Sequence, residues 1–138
     1  MFKKQFLTLL GIIGFSMLGL SGLQAQNQCA SFNETACSTC NPSVSSMTVQ
    51  PFSSNTTKFF AVNSSGNGLC ERIDYCWETD APGSSITNAR GQSRIRFTTA
   101  GIWTVSLTIT WWFDANGNNQ VDAGERCSRT SSTVVTVN

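Results

Sequence analysis

The sequence predicts an all-β domain, an antiparallel β-sandwich, carried behind a cleaved signal peptide. Three observations predict it. Apolar residues recur at every second position in several short runs; Gly, Ser and Asn clusters separate those runs; and no stretch after residue 26 carries a helical apolar stripe.

The opening 25 residues contain Lys3 and Lys4, an apolar run from Phe6 to Leu20 and a small-residue end at Ala25. That is the three-part pattern of a secretory signal. The apolar part is short for a membrane span, which needs roughly 20 residues. A cut after Ala25 leaves about 113 residues, the size of one domain. That mature part has seven Lys and Arg against eight Asp and Glu. Without a basic excess it is no candidate for nucleic-acid binding. After cleavage no membrane partner is expected.

Residues 26–43 form a cysteine-rich segment holding Cys29, Cys37 and Cys40; Cys70, Cys76 and Cys127 follow later. Six cysteines in a small exported chain read as a disulfide framework with 15 conceivable pairings. A zinc site on Cys37-Ser-Thr-Cys40 would need a second ligand pair, and the chain has no His and no other CxxC. Residues 26–43 are read as pinned by disulfides rather than packed as an element.

The β-sandwich is expected over residues 44–138. The first run, Ser43 to Phe52, holds Val44, Met47 and Val49, and Thr57 to Val62 is the second. Ile73, Tyr75 and Trp77 then alternate with Asp74, Cys76 and Glu78. Ile95 and Phe97 alternate with Arg94 and Arg96, and Trp103, Val105, Leu107 and Ile109 with Thr and Ser. Thr133 to Val137 closes the chain. Tyr75, Trp77, Trp103, Val105 and Leu107 are the expected core. Residues 103–113 should form one strand flanked by the strands that begin at Cys70 and Cys127. That places Cys70 and Cys127 at one end of a sheet, and a bridge between them, folded over Trp112, is the favoured pairing.

The run from Tyr75-Cys76-Trp77 through Phe97-Thr98-Thr99-Ala100-Gly101-Ile102-Trp103-Thr104-Val105-Ser106-Leu107 resembles the polycystic-kidney-disease (PKD) domain family. Trp103 stands where that family usually has Tyr. The family's Gly-Asp-Gly is replaced by Glu78-Thr79-Asp80-Ala81-Pro82-Gly83. The resemblance implies an immunoglobulin-like sandwich.

The loop 114–125 carries the clearest chemistry. Counting Asp114 as position 1, Asn116 and Asn118 fall at 3 and 5, Gln120 at 7, Asp122 at 9 and Glu125 at 12. This is the ligand order of an EF-hand calcium loop, in which position 7 lends its backbone carbonyl. Calcium is a hard ion taking six to eight oxygens, and a tightly curled loop can turn alternate residues inward. Position 6, normally Gly, is Asn119, the next most tolerant residue of positive φ. The flanks are strands, so the loop is similar to those in the B-repeats of serine–aspartate-repeat surface adhesins. That resemblance implies a stiffened extracellular module. The rival reading is a solvated hairpin turning at Asn116-Gly117.

Trp112, Arg94 and Arg96 make up a candidate ligand surface, with Arg90 nearby. The readings preferred over it are that Trp112 covers a disulfide or an edge, and that the arginines block edge pairing. Asn33, Asn55 and Asn63 fit the glycosylation acceptor pattern. Without His there is no Ser-His or Cys-His pair, and a carboxylate pair at Asp74 and Glu78 reads better as surface charge. The expectation is a secreted, non-enzymatic calcium-binding module for adhesion or surface structure. Its partners would be a cell-surface or matrix protein, a glycan, or a second copy. A glycan- or peptide-binding module and a hydrolase accessory or degenerate enzyme are the alternatives.

Overall fold

The computed structural model describes residues 29–51 and 56–138. The predicted signal segment 1–25, Phe52 and Asn55 lie outside them. The described residues hold one short helix, α1 (Ala36–Cys40), and nine strands: β1 (Ser43–Val44), β2 (Thr48–Pro51), β3 (Thr57–Ala61), β4 (Ser64–Ser65), β5 (Glu71–Thr79), β6 (Ser85–Ala89), β7 (Gln92–Arg96), β8 (Gly101–Trp112) and β9 (Arg126–Val137). Every strand pair is antiparallel.

β8 organises the fold because its alternation is the longest. Val105, Leu107, Ile109 and Trp111 share one buried face, as a period of two requires. β9 pairs with it along its whole length, from Gly101 opposite Val137 to Trp112 opposite Arg126. β5 pairs on its other side, giving the order β5-β8-β9. A register shift between Arg72 and Asp74 breaks the alternation in β5. Ile73, expected beside Tyr75 and Trp77, is therefore 42% exposed, as a bulged residue can be.

The second sheet has the order β2-β3-β7-β6. Its Phe60 and Ile95 are fully buried, in one core with Trp77, Phe97, Val105 and Leu107. The Phe60 and Trp77 rings, 6.5 Å apart, join the two sheets. Of the expected core, Trp77, Val105 and Leu107 are buried, while Tyr75 and Trp103 pack at its margin. The Trp103 indole donates to the Thr99 carbonyl at 3.1 Å. Gly101, at φ 154°, lies beneath that ring; a Cβ there would sit 2.7 Å from it.

The N-terminal segment departs most from expectation. It is pinned by disulfides, but it also packs: α1 buries Ala36 and Cys40. Asn41 ends the helix at φ 40°, its N–H donating to the Cys37 carbonyl at 3.2 Å. The bridges are Cys29–Cys76, Cys37–Cys127 and Cys40–Cys70. No described cysteine is free, so the zinc alternative at Cys37 and Cys40 is overturned.

The favoured Cys70–Cys127 bridge is also wrong. Both residues do lie at one end of the sheet, but β8 runs between their strands. Two strand spacings are about 9–10 Å, beyond the roughly 7 Å a direct bridge allows. The helix resolves this: Cys37 and Cys40, one turn apart, each take one of the two. Three disulfides belong to an oxidising, extracellular-type compartment. Among the described residues no helix is long and apolar enough to cross a membrane.

Residues 29–33 cross the opposite face of the same sheet. Cys29 is bonded to Cys76 on β5, and the Phe32 carbonyl accepts the Ser128 N–H of β9 at 2.8 Å. Beneath run three hydroxyl pairs between β8 and β9: Ser106 with Ser132, Thr108 with Thr130 and Thr110 with Ser128, at 2.9, 2.9 and 2.8 Å. Pairing the hydroxyls with each other lets Thr108, Thr110 and Ser128 be buried without stranded polar atoms.

Candidate functional site: the β8–β9 loop

β8 and β9 project a hairpin whose connection holds residues 113–125. The Phe113 N–H donates to the Glu125 carbonyl at 3.0 Å and closes its base. Asp114 organises the turn. Its Oδ1 accepts the N–H groups of Gly117 (2.7 Å) and Asn118 (3.2 Å), and its Oδ2 that of Asn119 (2.8 Å). Asn119 takes φ 62°, the geometry that position 6 of a calcium loop demands.

Asp122 Oδ2 accepts the side-chain amides of Asn116 and Asn118 at 2.9 and 2.7 Å. Those two donors hold the Asp122 carboxyl below its usual range. Asn118 Oδ1 accepts the N–H of Gln120 at 2.8 Å. Thus Asp114, Asn116, Asn118 and Asp122 converge in one network of hydrogen bonds.

Glu125 stands apart. It is 4% exposed, and its oxygens accept the Trp112 indole N–H (3.2 Å) and the backbone N–H groups of Ala115 (2.9 Å) and Asp122 (3.0 Å). Trp112 is itself 9% exposed. It covers the glutamate and offers no open ring as a ligand platform. Arg94 and Arg96 stay on a solvent face, but β7 lies between β3 and β6. They block no edge, since their strand is interior. Glu78 accepts the Cys29 N–H at 3.0 Å, which gives it a structural use apart from Asp74.

Sequence reasoning missed Glu34. Its Oε2 accepts the N–H groups of Gly124 and Arg126 at 2.8 and 2.9 Å, and its Oε1 meets Arg126 Nη2 at 2.7 Å. The guanidinium also lies 4.0 Å over the Phe32 ring. No periodicity marks Glu34, because its partners lie 90 residues or more away in sequence. The side-chain hydrogen bond from Arg126, followed by the backbone bonds, holds its carboxyl below the usual glutamate range. A lowered carboxyl binds fewer protons folded than unfolded, so its stabilisation is full above the ordinary glutamate range and fades as pH falls through the lowered value. Glu34→Gln should therefore flatten the acid limb of a melting-temperature-against-pH curve. An unchanged limb would mean that the bonds of Glu34 to Arg126 and Gly124 add nothing to stability.

Among the described residues no three His, Cys, Asp or Glu side chains form a group able to hold a metal. A cation here would draw on amide and backbone oxygens as well. The side-chain nitrogens of Asn116 and Asn118 face Asp122, so both amides would have to turn for their oxygens to join Asp114, Asp122 and the Gln120 carbonyl around a cation. Glu125 accepts three N–H groups, as Asp114 does, so each carboxylate keeps about one of its roughly four lone-pair directions for a cation.

Compared with protein-family models, curated proteins and solved structures, the chain matches none of them.

Proposed function

We propose that the chain is an exported, non-enzymatic, immunoglobulin-like β-sandwich that binds calcium in loop 114–125 and serves as an adhesive or surface-structural module. The strand order supports the fold assignment. β2-β3-β7-β6 against β5-β8-β9 corresponds to the seven-strand immunoglobulin arrangement of ABED against CFG. Trp77 lies on the strand that carries the buried Trp in that fold. Trp103 bonds back to a carbonyl a few residues upstream, as the corner Tyr does.

The observation that carries the calcium reading is the convergence of Asp114, Asn116, Asn118 and Asp122 on one turn. Bound calcium would neutralise Asp114 and Asp122 and stiffen the hairpin; Glu125 and Trp112 hold the base from which it projects. Calorimetry on residues 26–138 should give a dissociation constant on the order of 10⁻⁵ to 10⁻³ M, the weak end of calcium loops. Asp114→Ala with Asp122→Ala should abolish the heat. Equal heats from that double variant and the parent would sink the calcium assignment. Sedimentation with and without calcium tests the adhesive role, which requires calcium to promote self-association or capture of a partner.

A further inference from the structure

A second, differently built site lies beside the Cys40–Cys70 bridge. An open cleft of about 640 Å³ is lined there by Gly66, Glu71, Arg72, Tyr75, Arg90 and Trp111, among others. Its size falls in the usual range of ligand pockets.

Trp111 is the telling residue. Three of the four tryptophans donate their indole N–H to protein oxygens: Trp77 to Arg90 O, Trp103 to Thr99 O and Trp112 to Glu125. Trp111 is 1% exposed, yet its N–H donates to none of the described residues. Its nitrogen is not among the buried side-chain atoms left without a partner, of which the described residues hold only Ser84 Oγ, so it meets solvent in the cleft it borders. Gly66 keeps it accessible, for a Cβ there would lie 3.0 Å from the indole nitrogen.

Two guanidinium groups join it. Arg72 is held in place by bonds to Tyr75 Oη (3.2 Å) and the Ser64 carbonyl (2.7 Å), 5.9 Å over the Trp111 ring. Arg90 is exposed, and its side chain has no hydrogen-bond or ionic partner among the described residues. It sits at φ 51° in the β6–β7 turn, where two-residue hairpins favour glycine. Gly91 cannot exchange with it, because a Cβ at 91 would meet the Val62 carbonyl at 2.8 Å.

The cleft is thus rich in donors: Arg90, the remaining N–H groups of Arg72, the Tyr75 hydroxyl and the Trp111 indole. Glu71 is its one acid. Two guanidiniums ask for a carboxylate; Glu71 disfavours a polyanion and accepts from hydroxyls. We propose that this cleft binds the carboxylate and neighbouring hydroxyls of an acidic sugar residue. The proposal does not rest on the calcium loop.

The test is an NMR titration of residues 26–138 in EDTA with sodium glucuronate, following the Trp111 indole resonance. Glucose, acetate and sulfate are the comparison probes. Glucuronate should give a saturable shift, acetate should bind at least tenfold more weakly, and glucose should give none. Arg90→Gly should weaken glucuronate at least tenfold while leaving the melting temperature equal or higher, since glycine suits that backbone. Gly66→Ala should weaken it similarly by covering the indole. Equal response to glucose or sulfate, no movement of the Trp111 resonance, or undiminished binding by Arg90→Gly would overturn the proposal.

Discussion

Replacing Cys37 and Cys127 together by serine should lower the melting temperature by roughly 15–25 °C. The bridge joins residues 90 apart and Cys127 is fully buried. A bridge closing a loop of that order contributes about 4 kcal/mol by restricting the unfolded chain. The other two bridges shorten the loop it closes, which keeps the figure below the longest-loop value. For a domain near 110 residues each kcal/mol moves the melting temperature by about 4–6 °C. Replacing Cys40 and Cys70 in the same way should cost less, about 3 kcal/mol, because that bridge spans only 30 residues. Scanning calorimetry on the two double variants checks both the size and the order. A Cys37/Cys127 variant melting within a few degrees of the parent would mean that this bridge adds nothing to the stability of the sheet.

Glu125→Ala should cost about 2–4 kcal/mol with or without calcium, whereas Asp114→Ala should cost under about 1 kcal/mol. The difference lies in what each carboxylate leaves behind. Removing Glu125 strands the indole N–H of the buried Trp112 and takes an acceptor from Ala115 and Asp122. The donors to Asp114 are the backbone groups of Gly117, Asn118 and Asn119, exposed residues that water can satisfy. Urea unfolding measures the two costs, and Trp112 emission reports whether its cover is lost. If the two variants proved equally stable, Glu125 would be no keystone of the hairpin. The same contrast makes Glu125 a poor choice for testing calcium, since its loss would remove the loop's base along with a ligand.

How far these features could be read beforehand depended on whether a face was open to water. β8 was legible because Val105, Leu107 and Ile109 are inward while Ser106 and Thr108 interleave. The start of β9 near Cys127 was expected from its place beside β8, but its apolar alternation was legible only from Thr133. Its first half, Arg126 to Ser132, carries Ser and Thr beneath the N-terminal segment, so burial left no apolar signature there. β6 was hidden for a related reason: Ile86 is its only large apolar residue. α1 is too short to show a stripe and is held by its bridges as much as by its packing. In the loop, ligand order could be counted along the chain. The division of labour between Asp114 and Glu125 could not, because it depends on Trp112 folding against the glutamate. Glu34 was invisible in turn, because its partners come from the far end of the chain.

The crossing of the three bridges also sets an order of events during synthesis. Cys40 can meet Cys70, and Cys29 can meet Cys76, while the last third of the chain is still being made. Cys37 must wait for Cys127, which arrives only with β9. A chain cut short before residue 127 would leave Cys37 as an orphan thiol in α1. Until β9 arrives, Cys40–Cys70 alone ties the helix to the sheet, so the strap closes only once that strand is in place.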